Sequence, residues 1–143
     1  MTELPDYINQ ISRQVFDAAV HVHSTLGPGL LEKAYEECLF YTLQKRGLKV
    51  AKQVELPIIF EELTVSNAFR LDMLVEDQII LELKSCEAIS PLHMAQIYTY
   101  LKLTKKPLGM ILNFNSRLMK DGIKRVIMTQ QANGEKHDCK SSN

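Results

Sequence analysis

Apolar side chains recur every three or four residues between positions 6 and 26, at Ile8, Ile11, Val15, Ala18, Ala19, Val22 and Leu26. That spacing lines one face of a helix. Gly27-Pro28-Gly29 interrupts it, because neither residue type propagates a helix. A second helix is expected from Pro28 or Gly29 to Arg46, with Gly47 as its C-terminal cap. Its apolar stripe reads Leu31, Ala34, Tyr35, Cys38, Leu39 and Thr42 or Leu43. From Leu48 the period shortens to two. Val50, Val54, Leu56 and Ile58 alternate loosely with Lys52, Gln53 and Glu55, predicting a strand of about ten residues. Pro57 has no N–H to give a ladder, so it belongs at an edge or a bulge.

Glu61-Glu62 reads as a turn and Ser66-Asn67 as an irregular spot. Strands are expected over 69–75 and 79–84, joined across Glu76-Asp77-Gln78. Ser90-Pro91 supplies an N-cap and a first-turn proline for a helix to about Thr104. The apolar run 107–114 reads as a strand buried on both faces. Residues 122–128 fit a short strand or a helix equally. Residues 130–143 are polar and expected to be a frayed, flexible tail. The order α-α-β-β-β-α-β, with one further element, predicts an α/β (α+β) single domain over 1–129. A meander followed by a crossover helix gives a mixed β-sheet flanked by helices.

The hairpin makes a sharper claim. A three-residue loop pairs Leu71 with Leu83, Met73 with Leu81 and Val75 with Ile79, which puts apolar pairs on one face. The same register sets Asp72 opposite Glu82, with Cβ atoms about 5 Å apart, and Lys84 diagonal to Asp72. A two-residue loop would part the two carboxylates. Opposed like charges destabilise a sheet, and a divalent cation between them reverses that effect. All-oxygen donors suit Mg²⁺ or Mn²⁺ rather than zinc. An ordinary solvated strand face would also carry Asp, Glu and Lys, but Leu74 and Ile80 share this one, so it is at least partly covered.

Composition narrows the alternatives. With 143 residues, 45% of them hydrophobic, the chain can build a core. Its 17 basic and 17 acidic residues exclude binding of nucleic acid by bulk charge alone. A site that meets phosphate through a metal is not excluded. Cys38, Cys86 and Cys139 are isolated, which disfavours structural zinc and fits a reducing compartment. No apolar run is long enough to span a bilayer, and the first ten residues lack the features of a secretory signal. A cytoplasmic protein without membrane contact is expected.

Other polar residues carry weaker signals. Glu32, Tyr35 and Glu36 share a helical face. A glutamate near a helix N-terminus is usually only a dipole contact, so Glu32 matters only if its helix packs over the hairpin. His93, Gln96 and Tyr100 form a polar line opposite Met94, Ile97, Tyr98 and Leu101, and His93 is expected to face solvent. Lys102, Lys105, Lys106, Lys120, Lys124 and Arg125 read as solvated surface before they read as a phosphate contact. No histidine is placed to activate Cys86, and Gly27-Pro28-Gly29 lacks the Lys-Ser/Thr of a phosphate-binding loop.

Gly29-Leu30-Leu31-Glu32-Lys33-Ala34-Tyr35 resembles the G-x-x-E-x-x-Y signature of the GxxExxY protein family, which looks like a branch of the PD-(D/E)XK nuclease superfamily. The resemblance extends from about Val15 to Ile127. It includes Gln53-Val54-Glu55-Leu56-Pro57, Arg70-Leu71-Asp72, Leu81-Glu82-Leu83-Lys84, Ala95-Gln96, Tyr100-Leu101, Asn113-Phe114 and Asp121-Gly122-Ile123-Lys124-Arg125. It departs at Ser66-Asn67-Ala68, where relatives tend to carry a glycine. The resemblance implies a restriction-endonuclease-like core. Asp72 matches the motif's aspartate, Glu82 and Lys84 its E-x-K, Glu32 the helix glutamate, and Gln96 the polar residue on the following helix.

The implied activity is metal-dependent hydrolysis of phosphodiester bonds in nucleic acid, DNA ahead of RNA. Asp72, Glu82, the Leu83 carbonyl and Glu32 would hold Mg²⁺ or Mn²⁺. Lys84 would orient or deprotonate the attacking water, and Gln96 would position it. A binding module on the same fold and a nucleotide-directed phosphohydrolase are the alternatives. A homodimer would suit double-strand cutting.

Overall fold

The computed structural model describes residues 4–128. The first helical repeat becomes α1, Asp6–Leu26, and buries Ile8, Ile11, Val15, Ala18, Ala19 and Val22. Each fully buried Ile or Val contributes about 1.5–3 kcal/mol, which outweighs the absence of any side-chain cap at Pro5. Helix α2, Glu32–Lys45, starts later than expected, after the Gly27-Pro28-Gly29 break. Tyr35, Leu39, Thr42 and Leu43 form its buried stripe. Leu31 precedes the first turn and is 81% exposed, so it is no part of that stripe.

Strand β1, Val50–Phe60, and strand β2, Leu63–Val75, pair antiparallel around Glu61-Glu62. Pro57 lies on the outermost strand and at the register shift between Leu56 and Ile58, so no ladder bond misses its N–H. Strand β2 begins six residues before the expected 69, because Leu63 to Asn67 pair only with β1 and stay exposed on both faces. The resulting two-stranded arm exposes Ile59, Phe60, Leu63 and Val65.

Strand β3, Ile79–Lys84, pairs with β2 through Met73 and Leu81, Leu74 and Ile80, and Val75 and Ile79. That is the register of a three-residue loop. Helix α3, Pro91–Thr104, then crosses over to β4, Leu108–Asn113, which runs parallel to β3 and is buried throughout. Residues 119–127 resolve the ambiguous end: a 3-10 turn, Met119–Gly122, leads into β5, Ile123–Ile127, antiparallel to β4. The expected tail, 130–143, lies outside the described residues. The sheet order is β1-β2-β3-β4-β5, the mixed sheet flanked by helices that the element order implies.

Two hydrophobic clusters cover the sheet. One joins α1 and α2 to Met73, Val75, Ile79, Leu81 and Leu83. The other joins Ile97 and Leu101 of α3 to Leu71, Ile80 and Ile111. Leu71 is therefore not the facial partner of Leu83. On β2, Phe69 and Leu71 belong to the α3 side, whereas Met73 and Val75 belong to the α1/α2 side. Regular pleating would keep all four on one face. The strand changes face at Asp72. Beside it, β1 does the same between Val50 and Val54, where Gln53 takes φ 55°. Gln53 and Asp72 are also the pair missing from the β1–β2 ladder between Val50 and Leu56.

Candidate nuclease site

Asp72 and Glu82 meet where the β2–β3 ladder stops. The last backbone pair is Met73 with Leu81, and the next hydrogen bonds run through side chains. The Asp72 N–H donates to Glu82 Oε2 at 3.1 Å, and the Leu83 N–H donates to Asp72 Oδ2 at 2.9 Å. Each carboxylate thus caps the backbone of the opposite strand. Glu82 is 5% exposed and Asp72 is half-buried. Among the described residues neither is in a salt bridge, and no protein donor reaches Asp72 Oδ1 or Glu82 Oε1.

Burial, then the charge of Asp72, pushes the Glu82 carboxyl up to about 8. Burial also raises Asp72, with the Leu83 N–H opposing and the charge of Glu36 reinforcing it. The ammonium of Lys84 and the guanidinium of Arg70 act in the lowering sense on both. A buried and a half-buried carboxylate, each with a free oxygen and no ion-pair partner among the described residues, form a donor set that fits a hard divalent cation. Among the described residues no group of three or more His, Cys, Asp or Glu side chains is arranged to hold one.

A cleft of about 370 Å³ opens over Asp72. Helix α2 contributes Glu32 and Glu36, β1 contributes Lys52 and Gln53, and β2 contributes Arg70. Glu36 accepts a hydrogen bond from Gln53 Nε2 at 2.6 Å, which ties α2 to the point where β1 changes face. Lys52 bonds Glu37 at 2.9 Å across the rim. Glu32 is exposed in the same cleft as Asp72, so α2 does pack over the hairpin. Glu82 and Lys84 do not line the cleft. They lie behind it, on the strand whose N–H holds Asp72.

Helix α3 presents Tyr100 rather than Gln96 to the carboxylates. Tyr100 stacks on Phe69 at 4.9 Å, and burial, then the charges of Glu82 and Asp72, raise its hydroxyl. Gln96 is exposed one turn away and does not line the cleft. His93 does not simply face solvent. Its Nδ1 accepts from the Ser90 N–H at 3.0 Å, and its own N–H donates to Ser90 Oγ at 3.1 Å, closing a capping box. Tyr100 and Arg70 were the residues not singled out from sequence for the site. Arg70 lies two positions before Asp72 and Tyr100 four after Gln96, so alternation and helical spacing were the available signals.

Asn113 secures the end of β3. It pairs with Lys84 in the parallel ladder. Its side chain accepts from the Cys86 and Asn115 N–H groups at 3.2 Å each and donates to the Cys86 carbonyl at 3.0 Å. A larger cleft, about 550 Å³, lies between α1 and β5 and contains none of these carboxylates.

A protein-family profile described as the PD-(D/E)XK nuclease superfamily matches residues 9–126. No curated protein and no solved structure matches the chain. The matched span contains every residue of the cleft and of the carboxylate pair.

Proposed function

This chain belongs to the PD-(D/E)XK nuclease superfamily, and on that premise we propose that it is a metal-dependent nuclease hydrolysing phosphodiester bonds of nucleic acid, with DNA ahead of RNA. The observation that carries the reading is the pair of carboxylates, Glu82 buried and Asp72 half-buried, that meet without a salt-bridge partner among the described residues, beside a cleft edged by Glu32. Asp72, Glu82, Glu32 and the Leu83 carbonyl would hold Mg²⁺ or Mn²⁺. Such an ion, when bound, polarises a phosphoryl oxygen and stabilises a leaving oxyanion.

The chain's own groups have separable tasks. Asp72 and Glu82 gather the ion and stay ionised once it offsets their repulsion. Lys84, half-buried at the end of β3, donates to or takes a proton from the attacking water. Arg70, exposed at the cleft, offers a guanidinium to the phosphate backbone. The restriction-endonuclease-like sheet supplies the rigid frame. No helix among the described residues is long and apolar enough to cross a membrane. Cutting both strands of a duplex would take two copies of a chain this small.

The test is cleavage of single- and double-stranded DNA and RNA with Mg²⁺ or Mn²⁺ by the wild type, Asp72→Ala and Lys84→Ala. Wild-type cleavage lost in both variants supports the assignment; full activity in both sinks it. One observation favours a binding module instead: the two carboxylates already serve as backbone caps. Nucleic-acid binding without metal-dependent cleavage would select that reading.

A further inference from the structure

Tyr35 links the two elements that carry the outer residues of the site. It is fully buried, three residues after Glu32 on α2. Its hydroxyl donates to the Gly27 carbonyl at 2.6 Å and accepts from the Leu30 N–H at 3.0 Å. The Leu30 carbonyl in turn accepts from Ser85 Oγ at 2.7 Å, and Ser85 directly follows Lys84. A second route runs through the ring. Tyr35 stacks on Phe114 with centroids 4.7 Å apart and planes 10° apart, and the Phe114 N–H donates to the Lys84 carbonyl at 2.9 Å. Both routes that start at Tyr35 end beside Lys84.

The Tyr35 hydroxyl spans the 27–31 loop, whose ends are also tied by the Gly27 N–H to the His23 carbonyl at 2.7 Å and the Ala34 N–H to the Leu31 carbonyl at 3.0 Å. Leu30 and Leu31 are exposed, so burial does not anchor it. Helix α2 has no side-chain cap at Leu31. Gly27 and Gly29 adopt φ 77° and 102°, conformations that cost more ordering entropy for glycine than for other residues. The hydroxyl bonds draw Gly27 and Leu30 together just ahead of α2, whose first residue is Glu32.

We propose that Tyr35 is a positioning residue that, with Ser85 as its partner, fixes Glu32 relative to Lys84 and so holds the outer carboxylate and the ammonium at one spacing for phosphodiester hydrolysis. This rests on the nuclease reading above. Tyr35→Phe separates position from packing, since it keeps the ring stack and removes both hydroxyl bonds.

Tyr35→Phe, Ser85→Ala, the double variant and Ser85→Thr are compared by Mn²⁺-dependent cleavage kinetics, thermal melting and amide exchange at Leu30. Expected are a modest fall in melting point for Tyr35→Phe, which leaves the Gly27 carbonyl and Leu30 N–H without their partner, faster Leu30 exchange, and, at a temperature where every variant is folded, kcat lowered about 10–100-fold with little change in KM. The double variant is expected to lose no more than the worse single variant, because the two groups share one tie. Ser85→Thr, which keeps the hydroxyl, is expected to restore kcat. A lowered melting point with kcat unchanged makes Tyr35 purely structural and overturns the proposal. Faster Leu30 exchange with kcat unchanged overturns it too. Absence of cleavage by the wild type is a failure of the nuclease reading itself, and this role falls with it.

Discussion

Asp72 and Glu82 hold each other's strands in place. Glu82 accepts the Asp72 N–H at 3.1 Å, while Asp72 reaches across to the N–H one residue past Glu82 at 2.9 Å. The bonds that would continue the β2–β3 ladder are replaced by carboxylate bonds. Hydrogen bonds to ionised acceptors are the stronger kind, so the exchange keeps the strands joined as they part. The cost is two negative charges brought together under partial burial.

That cost sets the pH dependence of the metal-free protein. Burial, then the charge of Asp72, raises Glu82 from 4.5 to about 8. The folded state therefore keeps a proton that the unfolded chain has already released. The stability this contributes is fully present below 4.5 and is lost as pH rises through about 8. Asp72, also raised, acts in the same direction. Urea unfolding in a chelator is expected to show a loss on the order of a few kcal/mol between about pH 5 and about pH 8.5. Glu82→Gln is expected to flatten that slope. An unchanged slope in the variant would refute the assignment.

Divalent cations are expected to reverse the loss. At a hundredfold excess over Kd, a ligand that binds only the folded state adds about 2.7 kcal/mol. Mn²⁺ is therefore expected to raise the melting temperature more above pH 8 than below pH 5, since protons compete for the same oxygens. Calorimetric titration near neutral pH, in two buffers of different ionisation enthalpy, is expected to show proton release. Asp72→Ala is expected to abolish both effects.

Asn113→Ala is expected to destabilise the fold by about 1–3 kcal/mol, because it leaves half-buried backbone groups of Cys86 and Asn115 without partners. It also loosens the segment after Lys84. Cleavage is expected to fall further than unfolding alone explains, measured at a temperature where the variant remains folded.

Gly109→Ala tests how closely α3 is seated. A Cβ there would stand 2.7 Å from Ile97 Cδ1 and 2.9 Å from Ile97 Cγ1. Ile97 must move, and overpacking of this kind costs about 1–3 kcal/mol. Thermal melting reads the cost, and a melting point equal to wild type would show that the helix has room to shift.

The acidic pair was legible in sequence from the hairpin register, of which the Met73–Leu81 and Val75–Ile79 pairs hold while Leu71 and Leu83 lie on opposite faces. Apolar alternation selects the three-residue loop, and that loop alone opposes Asp72 and Glu82. Tyr100 was less legible, since helical spacing places it on a polar line without saying that Phe69 covers it. The outer half of β2 was obscured because residues such as Thr64, Ser66 and Asn67 bury neither face and so leave no alternation. The strand near 123–127 was ambiguous because Ile123, Val126 and Ile127 fit either period. Pairing with β4 decides it. The face change at Asp72 has no sequence signature at all. It arises where Gln53 of β1 takes a positive φ and leaves the ladder beside Asp72, and a local pattern carries no information about its neighbour.

Asp72 stands at the seam between the two cores. Before it, Phe69 and Leu71 pack on the α3 side; after it, Met73 and Val75 pack on the α1/α2 side while Leu74 stays on the α3 side. A cation gripped there would act as a rivet through both halves of the molecule. The two helical layers already share every central strand of one sheet. Loading the site would then brace that shared sheet at its irregular point, so that cohesion and chemistry depend on the same pair of oxygen-bearing side chains.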